Sequence, residues 1–355
     1  MADRCLGGLR AVKRWTWRAS LMAVVLAASA ACSSGAGSDA GGVSSGASLP
    51  RATASAVGGP AWFAVLHRGA IRWFDSNSSA PVDETADATG LAVTAIGSWN
   101  DGHSVVLAAS PSRLSACRGV IRLQTISSPT RIADRELSHV HRVPGRVDDI
   151  AVSADHRRLA MALGVADHPG AACDKVELLT VNLLTGARRV WTLPYVDDPA
   201  SDAYDEYFLT ALAWSPDDRH LAMNYGQCCA SASDTWILDT SGRTGELISR
   251  LRKVPKSLCT DVAYAWTDAG LISDEGVQPC GGIFSRIVAI NPATGKVTRL
   301  SKARLRGNIS AVVPDATGHD WLVYADQGLF RVNADTANYL HRLNWDTNSP
   351  PQAAW

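Results

Sequence analysis

From Pro60 onward the chain is written in short runs that alternate apolar with small or polar residues, broken at close intervals by Gly, Asp, Asn, Pro and Ser. The period is two rather than 3.6, so the runs predict strands and turns and no amphipathic helix. One unit recurs: a small or aromatic residue, a turn ending in Asp, then an apolar strand. It reads GSWNDGHSVVLAA, AVSADHRRLAMAL, ALAWSPDDRHLAM, AYAWTDAGLIS and AVVPDATGHDWLVYA. The turn aspartates Asp101, Asp155, Asp217, Asp268 and Asp315 lie 54, 62, 51 and 47 residues apart. Asp suits such a turn because its carboxylate accepts nearby backbone N–H groups.

Each unit is followed by a second hairpin: RGVIRLQTISSPTRIAD, VELLTVNLLTGARRVWTL, DTWILDTSGRTGELISRL, SRIVAINPATGKVTRLS and GLFRVNADTANYLHRLN. Two hairpins make a four-stranded sheet, and a repeat of roughly 40–50 residues of this kind is the pattern of a β-propeller blade. Alone, such a sheet leaves a face unburied; stacking around a ring covers it. Five units give five blades and the sixth is split. AWFAVLHRGAIRWFD, residues 61–75, supplies a second and third strand with no first. The closing PQAAW matches ALAW and AYAW, so the C-terminus is expected to supply the missing strand; the alternative is a tail that pairs with nothing. The predicted fold class is all-β: a six-bladed β-propeller of four-stranded antiparallel blades, the ring closed by the C-terminal strand joining the N-terminal blade.

The SPDDRHLAM phrase resembles the repeats of TolB-type and WD-repeat-like six-bladed propellers, over residues 60–355. The resemblance implies the fold and says little of the activity, because propellers host unrelated functions. Only 59 residues precede the repeats. That is too few for the separate N-terminal domain of TolB, so its partners are not carried over.

The N-terminus gives an address. A basic stretch ends at Arg18, the uncharged run LMAVVLAASAA covers Leu21 to Ala31, and Cys32 follows with a Ser/Gly tail. The run is a signal-peptide h-region, too short for a comfortable membrane span. Small residues before a Cys resemble a bacterial lipoprotein signal, which implies cleavage before Cys32 and lipidation there; Ser29 departs from the Leu that pattern prefers. The alternative is cleavage after Ala30 and a secreted protein. Residues 1–31 are thus read as signal peptide, 32–59 as a flexible Ser/Gly/Ala tether, and 60–355 as the propeller. The expected location is the extracytoplasmic side of the cell membrane. GVSSG, Gly42–Gly46, matches the GxSxG nucleophile motif but lies in the tether, without the strand and helix that motif needs.

Without residues 1–31 the chain holds 29 Lys and Arg against 33 Asp and Glu. That balance argues against nucleic acid as a partner. Six cysteines besides Cys32 remain, and in an exported domain they suggest disulfides. Cys117, Cys173, Cys228, Cys229 and Cys280 fall between second and third strands, and Cys259 just before a first strand, so all six are expected on one face. Cys117–Cys173 across neighbouring blades is the favoured pair. Cys228 and Cys229 would serve Cys259 and Cys280, or pair with each other while Cys259 joins Cys280. Irregular Cys/His spacing speaks against a metal site.

The same face is expected to carry the acidic loop PYVDDPASDAYDEYF. Its Tyr195, Asp197, Asp198, Asp202, Tyr204, Asp205, Glu206 and Tyr207 are the candidate ligand-binding residues; the plain alternative is a solvated acidic loop. No cofactor is expected. Oxygens of this kind suit Ca²⁺, though their spacing is not that of an EF-hand. His139 and His141 flank Val140 and could share one face of a strand. His103, His156, His220 and His319 sit in turns between first and second strands. Trp99, Trp214, Trp266 and Trp355 are read as repeat-equivalent core residues at strand ends. No sialidase Asp-box, HExxH, phosphate loop or dinucleotide fingerprint is present, and no catalytic residue is assigned. The favoured function is a non-enzymatic binding or scaffold module for an envelope protein, peptide or glycan. The alternative is a propeller enzyme with its site at the central channel: a metal-dependent lactonase, or a glycan lyase or hydrolase.

Overall fold

The structure, a computed structural model, describes residues 62–67, 69–75, 81–85, 91–99, 103–111, 117–128, 131–137, 139–166, 168, 173, 175–193, 207–227, 234–255, 260–276, 284–315, 317–341 and 352–355. These form six antiparallel sheets of four strands each, numbered blades I to VI from the one that holds Trp62–His67, with two short extra strands. In blade III the strands are Arg146–Val152, Arg158–Val165, Lys175–Asn182 and Arg188–Thr192, the first innermost. Apart from one turn of 3₁₀ helix at Ile248–Arg250, the described residues are strand, turn or irregular chain.

Blade I is assembled from both ends of the chain. Trp62–His67, Ala70–Asp75 and Pro81–Thr85 are its second to fourth strands. Gln352–Ala354 is its first, with Ala64 opposite Ala354, Val65 opposite Ala353 and Leu66 opposite Gln352. The ring therefore closes without a covalent joint and leaves no inner strand lacking a blade.

Six apolar clusters hold the ring together, one at each seam between neighbouring blades. Period two explains how one strand serves two seams. In Arg158–Val165 the large Leu159, Met161 and Leu163 enter the seam with blade II, while Ala160 and Ala162 enter the seam with blade IV. The closing strand does the same: Ala354 enters the I–II seam and Trp355 packs in the VI–I seam. Where inner strands crowd, side chains shrink. A Cβ on Gly97 would meet the Ile150 carbonyl of the next blade at 2.9 Å.

The repeated turn owes its shape to side-chain hydrogen bonds. Ser153 Oγ donates to Asp155 at 2.7 Å and accepts from Arg158 N at 2.9 Å; Ser215, Asp217 and His220 repeat this in blade IV at 2.5 and 2.9 Å. The Ser215 bond holds the Asp217 carboxyl below its usual range. The fourth turn residue, His156 or Asp218, has positive φ, and Gly318 holds that place in blade VI. This fixes a phase that differs from the sequence reading. Asp315 stands where Ser153 and Ser215 stand, not where Asp155 and Asp217 do, and Thr317 takes the aspartate's place. The bond is simply reversed, Thr317 Oγ1 donating to Asp315 at 2.8 Å. Asp268 sits in a tighter turn, Thr267 facing Gly270 directly. Asp101 lies outside the described residues.

Candidate functional site

The cavity of interest is the central channel with its widened mouth, about 1760 Å³, walled by the innermost strands and the turns that follow them. Those strands are Gln352–Ala354, Leu91–Ser98, Arg146–Val152, Tyr207–Trp214, Thr260–Thr267 and Ile309–Pro314. Each pairs on its outer side only, so alternate residues turn their N–H and C=O toward the channel. Bulges interrupt pairing in the inner strands of blades II to VI, a device that re-aims local side chains.

Four residues end each inner strand in register: AIGS, DIAV, ALAW, AYAW, AVVP and, at the C-terminus, QAAW. Four blades have Ala in the first place, at Ala95, Ala211, Ala263 and Ala311. The other two have Asp149 and Gln352, and both reach across a seam to cap a channel-facing N–H of the next blade. Gln352 Oε1 accepts from Ile96 N at 2.9 Å, and Asp149 Oδ2 accepts from Leu212 N at 2.9 Å. The second Asp149 oxygen takes Ile150 N at 2.8 Å. Burial pushes the Asp149 carboxyl up to about 6, against the opposing pull of those backbone bonds. Neither residue was singled out from the sequence. The signal was a polar side chain at a repeat position otherwise held by Ala.

Of the six carboxylates that line the cavity among the described residues, five are engaged by the fold. Arg146 grips Asp148 through two bonds of 2.6 and 3.0 Å. Asp149 holds two backbone amides. Asp315 holds its turn, Asp320 takes Arg331 at 2.9 Å, and Asp335 takes Lys302 at 2.8 Å. Asp268 at the rim is exposed. Much of the remaining wall is small and apolar, including Ala151, Ala213, Ala265, Ala311 and Ala353. Among the described residues no group of three His, Cys, Asp or Glu is placed to hold a metal ion.

The tryptophans brace the seams above this wall. Trp214 Nε1 donates to the Ala151 carbonyl at 3.2 Å, and Trp355 Nε1 to the Val313 carbonyl at 2.9 Å, each in the preceding blade. Trp266 occupies the same repeat position, opposite Leu271 as Trp214 is opposite Leu221. Trp99 does not: Ser98 holds that place, and Trp99 lies one residue further, stacked on His156 with ring centroids 4.9 Å apart.

Cys117 and Cys173 form a disulfide between the second-to-third-strand loops of blades II and III, their Cα atoms 5.4 Å apart. Cys32, Cys228, Cys229, Cys259 and Cys280 lie outside the described residues. So do Tyr195, Asp197, Asp198, Asp202, Tyr204, Asp205 and Glu206; of Tyr207 only the main chain, opening an inner strand, is described. His139 and His141 are not on a strand face: both belong to a turn, His139 at φ 67°, with His141 Nε2 3.4 Å from Glu136.

No protein-family model matches the sequence, and no curated protein matches it. Solved structures do. The chain is similar to one in the crystal structure of the nidogen/laminin complex, with TM-score 0.50, 10% identity, and 82% of this chain against 97% of that one. It is also similar to a TolB-assigned protein of Agrobacterium tumefaciens, with TM-score 0.47, 11% identity, and 82% against 96%. With the tricorn protease the values are 0.46, 12%, and 83% against 30%. At such identities the likeness is one of fold.

Proposed function

We propose that the protein is a lipid-anchored binding module of the cell envelope. Cys32 carries the anchor, residues 33–59 form the tether, and the propeller presents its channel mouth to a protein, peptide or glycan. The observation that carries this reading is the use made of the channel's carboxylates: among the described residues, five of six make hydrogen bonds or ion pairs within the fold. Much of what remains toward the ligand is main-chain edge and small apolar surface, with His156, His319, Tyr264 and Asn333 beside it, which suits recognition of an inserted chain or ring more than acid–base chemistry. A hydrolase or lyase at the channel is favoured by one observation only, the Asp149 carboxyl raised to about 6.

Calorimetric titration with Ca²⁺, cell-wall glycan fragments and envelope peptides tests the reading. Ala311→Trp, which fills the channel wall, is expected to abolish ligand binding. Changing Asp197, Asp198, Asp202, Asp205 and Glu206 to Asn or Gln is expected to leave it. The reverse outcome moves the site to the acidic loop, and turnover of a glycan or lactone that Asp149→Asn abolishes moves the protein to the enzymes. Palmitate incorporation that Cys32→Ser removes is the expected signature of the anchor.

A further inference from the structure

Three large apolar side chains stand out as exposed among the described residues: Leu184 at 64%, Val190 at 39% and Ile248 at 38%. All three belong to the outer parts of blades III and IV. A main-chain bridge joins these outer parts: Thr192 N donates to Gly245 O at 3.4 Å and Leu247 N to Thr192 O at 2.9 Å. Arg189 crosses the same seam, donating to the carbonyls of Thr240 and Gly242. The edge is therefore one surface rather than two independent strands.

That surface is basic in a chain whose balance, without its first 31 residues, is acidic. Residues Leu184–Thr192 hold Arg188 and Arg189 and no carboxylate; Ser241–Val254 hold Arg243, Arg250, Arg252 and Lys253 against Glu246. Arg188, Arg189, Arg243, Arg250, Arg252 and Lys253 are all exposed. Arg252 also reaches the Pro292 carbonyl and Lys253 also reaches Asp234. Arg243 and Arg250 make no side-chain hydrogen bond or ion pair with any described residue. Exposed aliphatic groups interleaved with cations suit the boundary between anionic headgroups and acyl chains, where each gains what water does not offer. A soluble polyanion would use the cations and leave Leu184, Val190 and Ile248 in water.

We propose that the outer edge of blades III and IV is a docking surface for an anionic phospholipid bilayer, laying the propeller edge-on against the membrane. The inference rests on the envelope placement given above and deepens it. Twenty-nine residues separate Cys32 from Trp62, and the tether proposed above, at that length, would span about 30 Å on average. An anchored propeller is thus held where its edge meets the surface, and a second, weak contact adds to a single lipid anchor.

The test uses the chain from Ser33 to Trp355, which keeps both ends of the ring and carries no lipid, in vesicle co-sedimentation. Binding is expected to vesicles of phosphatidylcholine with about 30% phosphatidylglycerol and not to phosphatidylcholine alone, and it should weaken with salt. Arg243→Gln with Arg250→Gln should lower partitioning about 25-fold, roughly fivefold for each cation. Leu184→Ser with Ile248→Ser should lower it with an unchanged salt slope. Arg131→Gln with Arg135→Gln, exposed cations on the outer strand of blade II, should leave it unchanged. Absence of binding, equal binding to both vesicles, or an undiminished Arg243/Arg250 variant overturns the proposal. Binding to soluble polyphosphate that the serine variant leaves intact, without vesicle binding, overturns it in favour of a polyanion partner. Because this chain lacks the anchor, failure of Cys32 lipidation in cells is read separately by palmitate labelling.

Discussion

Replacing Trp355 by Ala removes the last residue of the chain's side chain and with it the seal of the ring. Trp355 is 1% exposed, packs edge-to-face on Phe63 at 6.0 Å, and donates to the Val313 carbonyl of blade VI. A buried Trp→Ala change costs about 3–5 kcal/mol through lost contacts and the cavity left behind, and the orphaned carbonyl adds about 1 kcal/mol or more. Trp214 is the built-in control. It holds the same repeat position and makes the same bond to Ala151, but its strand is joined covalently on both sides. Both variants are expected to lose about 3–5 kcal/mol in denaturant unfolding. Against a total of about 5–15 kcal/mol for a folded domain, either loss is large. Only Trp355→Ala should also release the three-residue closing strand. Amide exchange at Val65 and the neighbouring blade I strands should then approach that of a frayed edge, and the unfolding transition should broaden. If Trp355→Ala keeps blade I protection at the level seen in Trp214→Ala, then closure by the C-terminal strand is not what holds the ring.

Other perturbations have calculable signs. Asp149 binds its proton more tightly when folded, about pH 6 against 3.8. Its contribution to stability is therefore present below the unfolded value and declines by about 3 kcal/mol as pH rises through that window; Asp149→Asn should remove this part of the slope when the two proteins are compared by denaturant midpoints from about pH 4 to 7. Reducing the Cys117–Cys173 bond, with its separation of 56 residues, should lower stability by about 4 kcal/mol on the chain-entropy account, read as a shift in melting with and without reductant. Asp315→Ala, which strips a buried acceptor from Thr317 and His319 N, should cost about 1–3 kcal/mol. The exposed Asp268→Ala should stay within about 0.5 kcal/mol, although the two looked alike in the repeat.

The repeating pattern alone determined the strand content, the six blades and the pairing of PQAAW with AWFAVLHRG. These rest on local physics: period-two alternation selects strands, turn residues space them, and a blade with two apolar faces must be stacked on both sides. The partner of Cys117 was legible for the same reason, since equivalent loops of adjacent blades emerge side by side. Tertiary structure decided the rest. The phase of the last turn, with Asp315 in a serine's place, depends on which residue takes the positive φ, and Asp, Ser and Thr can exchange donor and acceptor roles there. Trp99 falls one residue outside the tryptophan ring because register is set by cross-strand pairing, not by spacing along the chain. The channel's character was hidden most completely. Whether a carboxylate faces a ligand or caps a neighbour's amide depends on what the next blade places within about 3 Å of it. For Asp149 and Gln352 that partner lies on an inner strand of another blade, 63 and 256 residues away along the chain.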